Sequence, residues 1–390
     1  MAEPESSNAA LPKLWTRDFI LIALINLIIF LGFQMLMPTL PFFVTYLGGS
    51  NAAAGLVIGV FAVSSVLIRP FAGKAIDTYG RKGVFLLGLV VFLMSVLAYH
   101  WLASIVVLML FRFIHGLGWG ASSTAGGTIA ADVIPKKRLA EGMSFYGLAS
   151  NLSMAIGPAL GLYLIQRYSF GALFFSSAST VVLALLFALV IHYQKTPPNS
   201  AKVKASLFEK SAFRPSLIIF FVTMTYGAIV SFLALYTKEL GIGNIGPFFT
   251  VYALTLIVVR PVFGKVADRR GYNIVMIPGL LAVLVTMILI SKSQALGLLL
   301  TAAVIYGIGF GAVQPTLQAM AVQNVPFNRR GAANGTFYSA FDLGIGLGSG
   351  IWGTVAQFFG YSQMYLWAAV PAIIAFILYL TQGRQPRPQG

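Results

Sequence analysis

The sequence predicts an all-α membrane protein of twelve transmembrane helices arranged as two six-helix bundles. Three observations lead there. Apolar blocks of about twenty residues, the length that crosses a hydrocarbon core, recur along the 390 residues. Hydrophobic residues make up 58% of the chain and charged residues only 9%, against about a quarter charged in a soluble protein. A soluble enzyme is thereby excluded, because a surface of this size could not cover such a core. The third observation is an internal repeat, in register with the apolar blocks.

Taken in order, residues 1–12 form a polar tail. The first span, near 19–43, is too long for a signal-peptide core and lacks a small-residue cleavage pattern, so it is read as retained. Spans near 53–75, 83–99, 103–125, 139–165 and 170–193 complete a first bundle within 1–193. A polar linker follows over 194–212, with Pro197, Pro198, Lys202, Lys204 and Lys210. Spans near 213–237, 243–265, 273–291, 296–320, 331–355 and 363–380 build a second bundle over 213–381. Residues 382–390 read as a mobile cytoplasmic tail.

Charge tests the count. Lys and Arg number 26 and Asp and Glu 10, a net +16. In a soluble chain this would point to nucleic acid; here the cations sit in short loops between apolar blocks. With the N-terminus inside, cytoplasmic segments hold 20 basic residues and the opposite face holds Arg167, Lys238 and Lys292. One span too many or too few would scramble that split, so both termini are expected in the cytoplasm. The chain has no cysteine and three scattered histidines, so no disulfide, metal or other cofactor is expected.

Residues 69–82 read RPFAGKAIDTYGRK and 260–271 read RPVFGKVADRRG, 191 positions on. Arg-Pro, Gly-Lys, Asp and Gly recur after the second span of each half, as in parallel-repeat, alternating-access transporters. Gly73 allows close helix approach and Gly80 a tight turn. Asp77, beside Lys74, Arg81 and Lys82, can pair with cations and with a helix N-terminus across the bundle, a latch for one state. A solvated positive-inside loop explains the cations but not the repeated Gly and Asp. Asp268 with Arg269 and Arg270 forms the second copy.

These residues resemble the signature loop of the major facilitator superfamily and its repeat. The resemblance covers residues 14–381 and implies that the loop gates the cytoplasmic face. In the fourth span, Arg112, Gly116 and Gly120 of RFIHGLGWG resemble the motif of proton-driven members, where the Arg is linked to proton coupling; a structural role against broken backbone is the other possibility. His115 and Trp119 lie near one helix face with it. In the fifth span, Gly157, Pro158 and Gly161 partly resemble the motif of the drug:proton antiporter branch and suggest a bend where the halves meet. Ser153 and Leu162 replace glycines of that motif, and plain packing accounts for the small residues equally well.

Asp342 is the one acidic residue deep in a span, and it is expected to carry a proton or bind a cation; a permanent partner for a helix-end amide or for Arg112 is the competing role. The first span offers Asn26 and Gln34, not the carboxylate of many multidrug exporters. Further polar or aromatic residues at cavity depth are Tyr146, Asn151, Tyr226, Tyr252, Gln314, Gln318, Asn334 and Tyr338, suited to hydrogen-bonding and stacking on a small ligand.

The expected function is proton-coupled efflux of small amphipathic compounds by a monomer in the bacterial cytoplasmic membrane. Export of one metabolite such as a metal chelator or sugar, or uptake by proton symport, uses the same scaffold. Lipid translocation would need a lateral opening that sequence does not show. No phosphate-binding loop is present for direct use of ATP, and an enzyme lacks a reaction centre.

Overall fold

The computed structural model describes residues 12–49, 51–194, 207–242 and 245–383; most of the expected linker, and the tail beyond Gly383, lie outside them. The first six long helices are α1 Arg17–Tyr46, α2 Asn51–Tyr79, α3 Arg81–Ala98, α4 Ile105–Val133, α5 Leu139–Arg167 and α6 Phe170–Val190. The second six are α7 Phe213–Glu239, α8 Gly246–Arg270, α9 Asn273–Ser291, α10 Leu296–Gln323, α11 Arg330–Trp367 and α12 Ala369–Leu378.

Local chemistry sets the ends. Thr16 caps α1 by accepting from the Phe19 amide at 3.3 Å, and Ser169 caps α6 by accepting from Ala172 at 3.1 Å. Gly80 (φ 95°) parts α2 from α3, and Gly271 (φ 90°), 191 positions on, parts α8 from α9. Both occupy a backbone region that a side chain disfavours. The sequence places the end of span eleven near 355; instead α11 continues, turns at Gly360 (φ 77°) and runs on to Trp367. The last crossing is therefore assembled from residues after Gly360, α12 and a π-helical turn, Tyr379–Gly383.

Among the described residues, nine separate segments are long and apolar enough to cross a membrane, and a tenth, Phe327–Thr381, has 55 residues, enough for two crossings. Helix α5, 29 residues long, is more polar, carrying Ser144, Ser150, Asn151 and Ser153. That suits its place between α1 of its own bundle and α8 of the other. Side chains such as Leu87, Met94, Leu186 and Ile377 stand exposed, as on a lipid-facing surface.

The bundles meet mainly along α2 against α11 and α5 against α8. Both seams depend on a glycine. A Cβ on Gly73 would lie 2.6 Å from the Gly331 carbonyl oxygen, and one on Gly264 would lie 2.7 Å from the Glu141 Cα. Backbone sits against backbone at equivalent points of the two repeats.

Candidate functional site

The basic-loop face is closed by two reciprocal caps. Asp77, near the end of α2, accepts from the Gly331 and Ala332 amides at the start of α11, each at 2.8 Å. Asp268, near the end of α8, accepts from Ala140 and Glu141 at the start of α5, at 3.0 and 2.8 Å. Each carboxylate satisfies two orphan amides and faces the positive end of a helix dipole, an arrangement worth up to about 2 kcal/mol. Each also ties one bundle to the other.

The first cap is reinforced by ions. Arg81 Nη1 lies 3.9 Å from Asp77, while its Nε donates to Asp132 at 2.9 Å. Its Nη2 donates to the Phe327 carbonyl of the opposite bundle, and the guanidinium lies 3.8 Å from the Phe327 ring. Asp132 also accepts from Arg330 of α11 at 2.7 Å, so one buried carboxylate joins cations of both bundles. In the second copy the equivalents of Arg81 and Asp132 are Tyr272 and Gln323, whose neutral hydrogen bond is 2.8 Å. Burial pushes the Tyr272 phenol up, which keeps it a neutral donor.

Further in, the repeat arginines cross the seams. Arg69 of α2 donates to Asp342 of α11 through Nε at 2.9 Å and Nη2 at 2.7 Å, and to Ser123 and Thr124 of α4 at 3.0 and 3.3 Å. Ser65 donates to the same carboxylate at 3.4 Å. Arg260 of α8 donates to Gln314 of α10 at 2.6 Å. With its amide oxygen turned inward, Asn151 of α5 accepts from Arg260 Nε and Nη2 at 3.0 and 3.2 Å.

Arg112 does not meet Asp342. It is wholly buried in the first bundle, donating to the Val57 carbonyl at 3.1 Å and to His115 Nδ1 at 3.1 Å, with Met37 Sδ at 3.6 Å and the Phe61 ring 4.1 Å away. Because a guanidinium can only donate, His115 Nδ1 must accept, which fixes a neutral imidazole. A proton on Nδ1 would remove that acceptor, so His115 is poorly placed to carry one in this state. The Tyr99 hydroxyl also approaches Nδ1, at 2.9 Å.

The remaining candidates separate into groups. Asn26 donates to the Tyr146 carbonyl at 2.8 Å, and with Trp119 and Tyr146 it lines a pocket of about 10 Å³ inside the first bundle, room for one water. Gln318 donates to the Tyr338 hydroxyl at 2.6 Å, and the Tyr338 ring lies 5.0 Å from the Arg69 guanidinium. Tyr226 stacks on Phe310 with centroids 5.3 Å apart and neighbours Tyr252 at 6.5 Å. Asn334, by contrast, donates to the Arg330 carbonyl within the first turns of α11, at the gate.

Gly157 faces Gln34 and Gly161 faces Met35, both on α1. The fifth-span motif therefore packs α5 inside its own bundle rather than at the seam, and α5 runs as one helix through Pro158. Lys82 points away from the latch, 5.9 Å from the Tyr193 ring. Arg269 is exposed; the ions beside the second cap are Arg138 and Lys265, both on Glu141 at 2.7 and 3.8 Å.

Sequence reasoning singles out neither Arg69 nor Arg260 as a site residue, and Asp132 only as an acid at the edge of the loop between spans four and five. A signal for the first two was present: of 26 basic residues, 20 fall in one set of loops and 3 in the other, leaving Arg69, Arg112 and Arg260 inside spans. An intramembrane charge marks function by default.

Two repeat-related helical bundles, capped against each other on one face around a polar centre, define a membrane transporter that works by alternating access. The profile of the Major Facilitator Superfamily matches residues 22–249 and 216–390, and the chain belongs to that family. It is 25% identical over 361 residues to the uncharacterized MFS-type transporter MJ1560 of Methanocaldococcus jannaschii, covering 89% of this chain and 93% of that protein. To the staphylopine export protein of Staphylococcus aureus it is 25% identical over 358 residues, covering 88% of this chain and 90% of that one. Its fold matches the crystal structure of the human organic anion transporter MFSD10 (TETRAN) with a TM-score of 0.80 at 19% identity, over 93% of this chain and 98% of that one. The protein is thus a multi-pass secondary transporter of a small molecule, not an enzyme.

Proposed function

We propose that the protein exports one kind of small polar metabolite across the bacterial cytoplasmic membrane in exchange for protons. Both termini would lie in the cytoplasm, on the side of the 20 basic loop residues. The observation that carries the exchange is the Arg69–Asp342 ion pair at 2.7 Å, the link between bundles nearest the polar centre that a single proton can break. The Asp342 side chain keeps 24% of its surface exposed, so a proton can reach it. Protonation from outside releases Arg69 and weakens the α2–α11 seam, the caps part, and the carboxylate discharges to the cytoplasm as cargo enters. Return of the ion pair recloses the gate behind the cargo. The working unit in this proposal is a monomer.

Export of a defined metabolite is supported by the near full-length similarity to the staphylopine export protein. A second reading, efflux of varied amphipathic compounds as in the drug:proton antiporter branch, is supported by 23% identity over 379 residues to the quinolone resistance protein NorA of Staphylococcus aureus. Inside-out vesicles holding a pH gradient, challenged with a compound panel, separate the two. One compound class should discharge the gradient with the wild type and not with Asp342→Asn. Discharge by many unrelated amphipathic compounds would favour the second reading, and no protein-dependent discharge would contradict both.

A further inference from the structure

The two repeats place the same cation in two different electrostatic settings. Arg69 and Arg260 are 191 positions apart, as are Asn151 and Asp342, and Ser123 and Gln314. At the first position a carboxylate neutralises the guanidinium. At the second, the equivalent residue is an amide.

Arg260 is only 2% exposed, and its Nε and Nη2 are taken up by the oxygens of Asn151 and Gln314. Its Nη1 has no acceptor among the described residues, which also place no carboxylate in an ion pair with it. Amide oxygens satisfy directions but bring no negative charge. A guanidinium held in an apolar span without a counter-charge is costly, and such residues mark ligand paths. Arg112 is different: each of its three nitrogens has an acceptor and a ring covers one face.

The surroundings suit a ligand. Tyr252 shares α8 with Arg260 and lies 6.5 Å, ring to ring, from Tyr226 of α7, and the Tyr338 ring of α11 lies 5.0 Å from the Arg69 guanidinium. These rings and hydroxyls come from three helices and can stack on, or hydrogen-bond to, the rest of a bound molecule.

We propose that Arg260 receives a carboxylate of the transported molecule, so that the cargo is a carboxylate-bearing metabolite. Asn151, an amide where the other repeat has an acid, leaves the guanidinium without a counter-charge in this closed state. A planar guanidinium with unfilled N–H groups matches a carboxylate in geometry as well as charge. The inference rests on the transport reading, but its test is binding. Loss of proton exchange with binding intact would leave it standing.

The test uses the purified full chain in detergent, followed by thermal unfolding against citrate and L-glutamate, with chloride at matched ionic strength. Arg260→Gln removes the cation. Asn151→Asp rebuilds the first repeat's pair at the second, which neutralises Arg260 while keeping it buried and bonded. The wild-type midpoint should rise saturably with the carboxylates and not with chloride. In both variants the half-saturating concentration should increase roughly tenfold or more, the loss expected for a charge-assisted contact. An undiminished response in Asn151→Asp overturns the proposal, as does a wild type indifferent to both carboxylates. An equal response to chloride would show an inorganic counter-ion only, and would also overturn it.

Discussion

Arg69 Nη2 lies 2.7 Å from Asp342 Oδ2, joining α2 of one bundle to α11 of the other, while its repeat counterpart Arg260 meets the neutral Asn151. The same asymmetry recurs at the gate, where Arg81–Asp132 is ionic and Tyr272–Gln323 is not. The ion pairs that join one bundle directly to the other near Asp77 and Asp342 thus have neutral counterparts at the equivalent positions of the second repeat.

The first prediction concerns the caps. Asp77→Asn removes a charge and at least one of two hydrogen bonds from the α11 N-terminus, a loss of about 1–2 kcal/mol. A cysteine placed at Ser339 should then react faster with a thiol reagent supplied from the basic-loop side. Asp268→Asn should act in the same direction at the α5–α8 seam, where no Arg81–Asp132–Arg330 bridge backs the cap. Equal rates in wild type and Asp77→Asn would show that this cap does not hold the gate.

A second prediction follows from Asp132. Asp132→Ala leaves Arg81 and Arg330 buried side by side without their shared carboxylate, and breaking such a pair costs about 3–5 kcal/mol. The variant should lower the thermal midpoint in detergent clearly more than Tyr272→Phe, which deletes one neutral hydrogen bond worth about 1 kcal/mol. Similar losses in the two variants would contradict the assigned asymmetry.

Close backbone approach gives a third. An alanine at Gly73 must push the Gly331 carbonyl, 2.6 Å from its Cβ, and backbone cannot rotate away as a side chain can. Gly73→Ala should destabilise the closed seam by about 1–3 kcal/mol and raise reactivity at the same Ser339 cysteine. Gly59→Ala, where a Cβ meets nothing within 4 Å, should leave it unchanged.

Topology is checked independently. The parent chain has no cysteine, so single cysteines at Ala103 and Lys137 can be labelled from each side of intact cells. Lys137 should react only from the cytoplasm and Ala103 only from outside. Labelling of both from one side would contradict the arrangement.

Much of this was legible in the sequence, because lipid leaves few choices. Block length gives the helices and the basic loops give their alternation. The 191-residue repeat aligned Asp77 with Asp268 and Gly80 with Gly271 before any contact was known. What was not legible was partnership across the bundles. Sequence offers Arg112 as one partner for Asp342, yet Arg69 reaches it because the Gly73–Gly331 approach brings α2 onto α11. In sequence Asn151 and Gln314 read only as polar residues at depth, whereas the contacts that unite them around Arg260 depend on α5, α8 and α10 meeting in space. Span eleven runs about a turn past 355, and the break before span twelve falls at Gly360, where a glycine permits a positive φ.

The most direct test of proton coupling is the distance between spin labels at Thr78, near the end of α2, and Asn328, beside the start of α11, followed in reconstituted protein as pH is lowered. If protonation of Asp342 unlocks the seam, the wild type should shift toward a longer distance on acidification. Asp342→Asn should then show the longer distance at every pH, with Asp77 and Asp132 still in place. A mutant that kept the short distance and the full acid-driven lengthening of the wild type would contradict the account.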